Sequence, residues 1–367
     1  MSGVLYAYGN NDEDLVLGYE GVPVITEPSV LTGFSNPVWD YVVNSRYSAA
    51  AVKNNGDLYT WGDNYYGQLG TGDKVDSTVP VLVLTNVVKV AMSRSVCMAI
   101  TTDGSLYVWG EGSDGRLGLG GSTDILTPTK VGSASWQDIH TTGYCTVGIQ
   151  SNGTLWTWGS SNFSGNLAYG DTSTSNVPVQ IGSDSDWASC YMSDSTLAVL
   201  KTSGVLWMCG NNSSGQLGIS NTTTYRYLRE ITYDGITFKS IGPNTSQTSQ
   251  AIGTNGRWYG WGGYGIEGDP WYQGYAQNIL YPRLVGRQSS LLDDFSNWAY
   301  VVGQIDQSYL LADEDRQLWQ VYAEGADIIT MFEDYNIGQG SGTNLVFAVT
   351  YVPFRFWTKF DGQTEIL

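Results

Sequence analysis

The sequence predicts an all-β fold, a seven-bladed β-propeller of four-stranded blades. Three observations predict it: a repeat of about 50 residues, a hairpin turn at a fixed place in each copy, and no convincing amphipathic helix. The repeat is plainest at Leu58-Tyr59-Thr60-Trp61-Gly62, which returns as Leu106-Tyr107-Val108-Trp109-Gly110 and Leu155-Trp156-Thr157-Trp158-Gly159. Weaker copies are Leu206-Trp207-Met208-Cys209-Gly210, Trp258-Tyr259-Gly260-Trp261-Gly262 and Leu318-Trp319-Gln320-Val321-Tyr322. Leu5-Tyr6-Ala7-Tyr8-Gly9 opens the series, making seven. The closing glycines at 9, 62, 110, 159, 210 and 262 stand 48 to 53 residues apart, and Ala323 takes that place 61 residues further on. Residues 1–367 are therefore read as a single propeller domain.

Local physics justifies each element in turn. Two residues before the first residue of five copies lies a glycine preceded by a turn former: Asn55-Gly56, Asp103-Gly104, Asn152-Gly153, Ser203-Gly204 and Asn255-Gly256, while Arg316 replaces the glycine before Leu318. These predict tight hairpins, because Asn-Gly and Asp-Gly tolerate positive φ at both central positions and so match the twist of the flanking strands. The strands before them are small and apolar, as in Ala49-Ala50-Ala51-Val52 and Cys97-Met98-Ala99-Ile100. Trp61, Trp109, Trp158 and Trp261 recur at one strand position, which places them in the packing between blades rather than on a sugar-binding surface. Gly62, Gly110, Gly159, Gly210 and Gly262 complete the structural repeat positions. After them comes a Gly-x-Leu-Gly turn at Gly67-Gln68-Leu69-Gly70, Gly115-Arg116-Leu117-Gly118 and Gly215-Gln216-Leu217-Gly218, with Gly165-Asn166-Leu167-Ala168 as a variant. Pro28, Pro80, Pro128, Pro178 and Pro282 follow, and proline, which has no N–H to donate, suits an edge strand.

The first unit starts at its Leu-Tyr strand with no hairpin partner before it, while Leu345-Val346-Phe347-Ala348-Val349-Thr350 resembles the missing strand. Residues 345–350 are expected to pair with residues 4–9 and complete the first blade, closing the ring without an open edge. The longer interval from Pro282 to Leu318 is expected to hold an exposed loop around Arg287 to Asn297.

Composition narrows the function. With 35 acidic and 17 basic residues the formal net charge is −18, which repels phosphates and argues against nucleic-acid and anionic-membrane partners. No basic segment followed by an apolar one opens the chain, and no run of 18 apolar residues occurs, so a soluble protein without a Sec signal is expected. Cys97, Cys145, Cys190 and Cys209 are expected as free, mostly buried thiols, with Cys97 and Cys145 on opposite sides of their sheets because they are offset by one residue.

The segment Ala49-Ala50-Ala51-Val52-Lys53-Asn54-Asn55-Gly56-Asp57-Leu58-Tyr59-Thr60-Trp61-Gly62-Asp63-Asn64-Tyr65-Tyr66-Gly67-Gln68-Leu69-Gly70-Thr71-Gly72 resembles the consensus of the regulator of chromosome condensation repeat family. The resemblance extends along the whole chain at falling strength and implies a seven-bladed propeller. The founding member of that family catalyses guanine-nucleotide exchange on a small GTPase and docks on nucleosomes through basic surfaces. This chain has no basic tail and no interval long enough for the wedge-like hairpin associated with exchange, so no exchange residue maps onto it.

Residue types that carry chemistry are few. His140 is the sole histidine, and any triad or histidine metal site would need it; it sits within a repeat strand, where the family resemblance implies a structural hydrogen bond. The carboxylate pairs in Asp12-Glu13-Asp14, Asp313-Glu314-Asp315 and Glu333-Asp334 read as solvated loops, and Gly110-Glu111-Gly112-Ser113-Asp114-Gly115 lacks the Lys-Ser/Thr ending and following helix of a phosphate loop. No catalytic residue, cofactor site or metal site is assigned. Trp271, Tyr272 and Tyr275 break the repeat in a polar loop and are the candidate binding residues, with a glycan as a possible ligand. The expected function is a non-enzymatic scaffold that binds other proteins, placed in a bacteriophage virion as a tail or capsid-attached component, and otherwise in the cytoplasm. The competing expectations are an exchange regulator of a small GTPase and a glycan-binding propeller.

Overall fold

The computed structural model describes residues 39–45, 47–160, 164–242, 247–263 and 278–284, together with the strand segments 6–10, 24–30, 298–305, 308–313, 318–322, 328–330 and 347–349. The chain opens with β1 (Tyr6–Asn10) and β2 (Val24–Val30). Runs of four strands follow. The first is β3 (Trp39–Asn44), β4 (Ser48–Lys53), β5 (Leu58–Gly62) and β6 (Ser77–Leu84). The second is β7 (Val87–Met92), β8 (Val96–Thr101), β9 (Leu106–Gly110) and β10 (Ile125–Lys130). The third is β11 (Trp136–Thr141), β12 (Cys145–Gln150), β13 (Leu155–Gly159) and β14 (Ser175–Gln180). The fourth is β15 (Trp187–Met192), β16 (Thr196–Lys201), β17 (Leu206–Gly210) and β18 (Tyr225–Glu230). The fifth is β19 (Phe238–Ile241), β20 (Thr248–Gly253), β21 (Trp258–Gly262) and β22 (Ile279–Leu284). The last is β23 (Trp298–Ile305), β24 (Ser308–Asp313), β25 (Leu318–Tyr322) and β26 (Ile328–Thr330), after which comes β27 (Phe347–Val349).

Each run of four forms one antiparallel sheet whose strands neighbour one another in chain order. β1 pairs antiparallel with β2 and parallel with β27, with Tyr6 opposite Phe347 and Tyr8 opposite Val349. The region around Arg287 to Asn297 lies outside the described residues.

The hairpins differ in one respect from the sequence expectation. Gly56, Gly104, Gly153, Gly204 and Gly256 have φ between +73° and +84°, but none of Asn55, Asp103, Asn152 or Asn255 has a positive φ. The left-handed conformation is confined to the glycine, and the amide of Gly104 bonds the carbonyl of Thr101 at 2.8 Å while Thr101 N–H reaches Ser105 O at 3.0 Å. This is a longer loop with a bulge at glycine. The preceding side chain earns its place differently, since Asp103 Oδ1 accepts the Ser105 N–H at 3.0 Å and Asn152 Oδ1 the Thr154 N–H at 3.1 Å.

Both faces of the central strands are buried, which is why they read as unbroken small and apolar runs: all of Val96–Thr101 is buried. Alternation sends side chains to opposite faces. Cys97 and Ala99 pack with Ala50, Val52 and Leu58 of the preceding sheet, whereas Val96, Met98 and Ile100 pack with Trp136, Ile139 and Trp158 of the following one. Cys145, Val147 and Ile149 likewise face Trp187, Cys190, Leu197 and Cys209, and Ala198, Leu200 and Met208 face Phe238, Ala251 and Trp261. Consecutive sheets from β3 to β22 are thus joined face to face by continuous cores. Cys97 and Cys145 do point to opposite sides of their sheets.

Candidate functional site

The repeat tryptophans are bolts between sheets. Trp61, Trp109, Trp158 and Trp261 are buried. Trp109 Nε1 donates to Gln68 O at 2.9 Å, Trp158 Nε1 to Arg116 O at 3.0 Å and Trp261 Nε1 to Gln216 O at 2.9 Å, each time reaching the Gly-x-Leu-Gly turn of the preceding sheet. Close approach explains the residue after each tryptophan. A Cβ on Gly110, whose φ is +104°, would lie 2.2 Å from Ser95 O, and the same obstruction recurs at Gly62, Gly159, Gly210 and Gly262.

Trp271, Tyr272 and Tyr275 lie outside the described residues, as do the carboxylate runs at Asp12-Glu13-Asp14 and Glu333-Asp334. Among the described residues no group of three or more His, Cys, Asp or Glu side chains is arranged to hold a metal ion. All four cysteines are free and buried. Burial raises their thiol pKa values, that of Cys145 to about 12, so they stay protonated and unreactive.

His140 belongs to a polar chain that links the first strands of three sheets. Lys89 on β7 pairs with Asp138 on β11, and Asp138 Oδ2 accepts the Cys190 N–H of β15 at 2.9 Å. One step along, His140 Nδ1 accepts the Met192 N–H at 3.3 Å and its ring rests on Tyr191, centroids 4.1 Å apart. Burial is the main cause that drives the His140 pKa down to about 4; Asp138 works against it and Lys89 with it. The imidazole is neutral and accepts a hydrogen bond, the structural role that the family resemblance implied. Together Asp138 and His140 cover free N–H groups along the outer side of β15.

The described sheets leave a more open arrangement between β14 and β18. A groove of about 600 Å³ is lined there by Tyr169, Val179, Ile181, Trp207, Tyr227 and Leu228, with Trp187 and Asp184 at its side. Trp187 and Trp207 meet edge to face, centroids 6.2 Å apart. Lys201 Nζ lies 4.9 Å and 5.6 Å from their ring centroids and is held by Asp184 at 2.6 Å and Asp186 at 3.0 Å. Neither indole N–H has a hydrogen-bond partner. The counterpart of Trp207 one sheet earlier, Trp156, donates to Thr154 Oγ1 at 2.8 Å, and Val205 replaces that threonine here. A smaller cleft of about 550 Å³ is lined by Tyr65, Tyr66, Lys74, Glu111 and Asp124, across which Lys74 and Asp124 pair at 2.7 Å. Sequence reasoning passed over the β14–β18 groove because its aromatic residues sit at ordinary repeat positions; the available signal was the absence of proline from β18.

Residues 55–100 and 103–149 match the Regulator of chromosome condensation (RCC1) repeat, and solved RCC1-type propellers superpose on most of the chain. Residues 55–149 carry RCC1 repeats. Its structure is similar to Prp20p from Saccharomyces cerevisiae, with a TM-score of 0.70, 14% identity, and coverage of 87% of this chain and 81% of that one. Human WBSCR16 gives a TM-score of 0.63 at 21% identity, covering 76% and 75%. Among relatives by sequence, the ultraviolet-B receptor UVR8 of Arabidopsis thaliana is 35% identical over 263 residues, 66% of this chain and 57% of that protein. The E3 ubiquitin-protein ligase HERC2 of Homo sapiens is 37% identical over 87 residues, 22% of this chain and 2% of the ligase. This RCC1-repeat chain thus spans less than two thirds of the curated relatives it matches. Prp20p is described with binding properties to Gsp1p and histones, and has been solved bound to Kap60.

Proposed function

We propose that this RCC1-repeat chain is a non-enzymatic protein-binding platform, a propeller of seven blades whose ring is closed by its N- and C-terminal strands. The observation that carries the platform reading is where the described polar groups are engaged. Asp138, His140 and the four thiols face neighbouring sheets, and Arg116 is enclosed with Glu111 and Asp114. Tyr65, Tyr227 and Tyr281 stand exposed on loops and outer strands. The count of seven is supported by the repeat number and by the β1–β2 sheet beside the six runs of four strands. Closure is supported by the pairing of β1 with β27. Protein binding is supported by analogy with Prp20p, a fold-level argument.

Cross-linking and mass spectrometry of the protein in its source are expected to find protein partners on loops and outer strands. A nucleotide-release assay with candidate small GTPases is expected to give a flat trace, and release above the intrinsic rate would overturn the non-enzymatic reading. Placement in a virion rests on the resemblance to repeat propellers encoded by bacteriophages and on loops rich in Ser, Thr, Asn, Gly and Tyr. None of the relatives named above is a viral protein. Proteomics of purified particles tests that placement, with stoichiometric presence expected and absence excluding it.

A further inference from the structure

The outer strands β6, β10, β14 and β22 share a device that β18 lacks. In register, Pro80, Pro128, Pro178 and Pro282 occupy the fourth residue of β6, β10, β14 and β22, and Leu228 occupies it in β18. The ladder fixes which way this position points. Val131, Ile181 and Ile231 N–H groups bond inward to Leu106, Leu155 and Leu206 carbonyls, each at 2.8 Å. Counting back by alternation, Glu230 and Leu228 present their N–H and C=O groups outward, where the prolines of the sister strands present a carbonyl alone. Proline there removes the outward donor and blunts the edge; β18 keeps it. Among the described residues no backbone partner meets Leu228 or Glu230 on that side.

The side chains around this edge are equally distinctive. In a chain of net charge −18, β18 carries both Arg226 and Arg229, and both are exposed. Neither forms a salt bridge among the described residues; Arg229 lies over the Tyr225 ring at 4.8 Å. Leu228 and Tyr227 also line the groove that runs to Val179 and Trp207.

We propose that the edge of β18 at Leu228 and Glu230, beyond the Arg226 carbonyl that the Gly170 N–H takes at 2.9 Å, is a docking site for an extended acidic segment of a partner protein, which adds as a further strand to the β15–β18 sheet. Backbone bonds to Leu228 and Glu230 supply the pairing, Arg226 and Arg229 select carboxylates, and the groove receives an apolar side chain of the incoming strand. This rests on the platform reading and names the place and the chemistry of one partner.

The test is fluorescence anisotropy of the full chain with a short labelled peptide of alternating Val and Glu. Binding is expected, weakened by salt, and lost at least tenfold when alternate peptide amides are N-methylated, a change that leaves the protein untouched. Leu228→Pro, which installs the residue of the sister strands, is expected to have the same effect, and R226E/R229E to favour a Val/Lys peptide instead. No binding by the wild type, equal binding of the N-methylated peptide, or equal binding of the Val/Lys peptide to the wild type would each overturn the proposal. So would a wild-type dimer that Leu228→Pro converts to monomer, which would assign the edge to a second copy. Partners cross-linked elsewhere on the surface would leave the platform reading standing without this site.

Discussion

Trp158 fits between two sheets because the residue that meets it has no side chain: a Cβ on Gly118 would lie 2.8 Å from the indole nitrogen, and Gly70 and Gly218 stand in the same relation to Trp109 and Trp261. Where the fifth copy of the repeat replaces tryptophan with Cys209, the facing position is Ala168, at φ +64°. The thiol still points at the corresponding carbonyl, Asn166 O, at 3.9 Å. Two departures from the repeat are thus one compensated change. Cys209→Trp alone is expected to destabilise the protein by about 1–3 kcal/mol through overpacking. Adding Ala168→Gly should recover much of that loss, a coupling measured by denaturant unfolding in a double-mutant cycle.

The second residue-scale consequence concerns His140. Its folded pKa of about 4 lies below the ordinary value of 6.5, so between those limits the unfolded chain binds more protons than the folded one. The stability held by the neutral ring is complete above pH 6.5 and is lost as pH falls toward 4. Asp138 and Lys89 are the charged groups that shape this titration, and both are retained in His140→Gln. The variant is expected to lose less melting temperature than the wild type between pH 6.5 and 4, as followed by thermal scans.

At the scale of elements, the hairpins depend on one left-handed residue each. Gly104 has φ +80°, and a Cβ there would lie 2.0 Å from Ser135 Oγ, which is itself bonded to Ser151 Oγ at 2.8 Å. Gly104→Ala is expected to cost about 1–2 kcal/mol in equilibrium unfolding while leaving the strands in register. The hairpin positions, the buried tryptophans and the Pro-marked outer strands were legible in the sequence because each rests on a local rule repeated many times. The turn type was not, since Asn-Gly satisfies either a two-residue loop or a bulged one and the choice is made by the register of the strands on each side. The β18 edge was not legible either: its signal is a missing proline, and its groove is built from residues of neighbouring sheets. The role of His140 was legible as structural, but its partner, the Met192 amide, belongs to the next sheet and is 52 residues away.

For the whole molecule, the sheets depend on one another in sequence, since the indoles of Trp109, Trp158 and Trp261 each bond backwards to the neighbouring sheet. In the proposed closed ring, removing residues 343–367 deprives β1 of its partner β27 and exposes an edge. The shortened protein is expected to melt earlier and to aggregate, checked by calorimetry and light scattering. An unchanged melt would remove closure from the description of the ring.

The seam between the third and fourth sheets stands apart from the others. It replaces an indole with a thiol, and three buried polar atoms there, Asn166 Oδ1, Trp187 Nε1 and Trp207 Nε1, have no hydrogen-bond partner. Hydrogen exchange is therefore expected to begin at this seam, reaching the amides of β14 and β15 before those of β8 or β9. The β18 edge lies on the same sheet, so a strand docked there is expected to slow exchange at this seam as well.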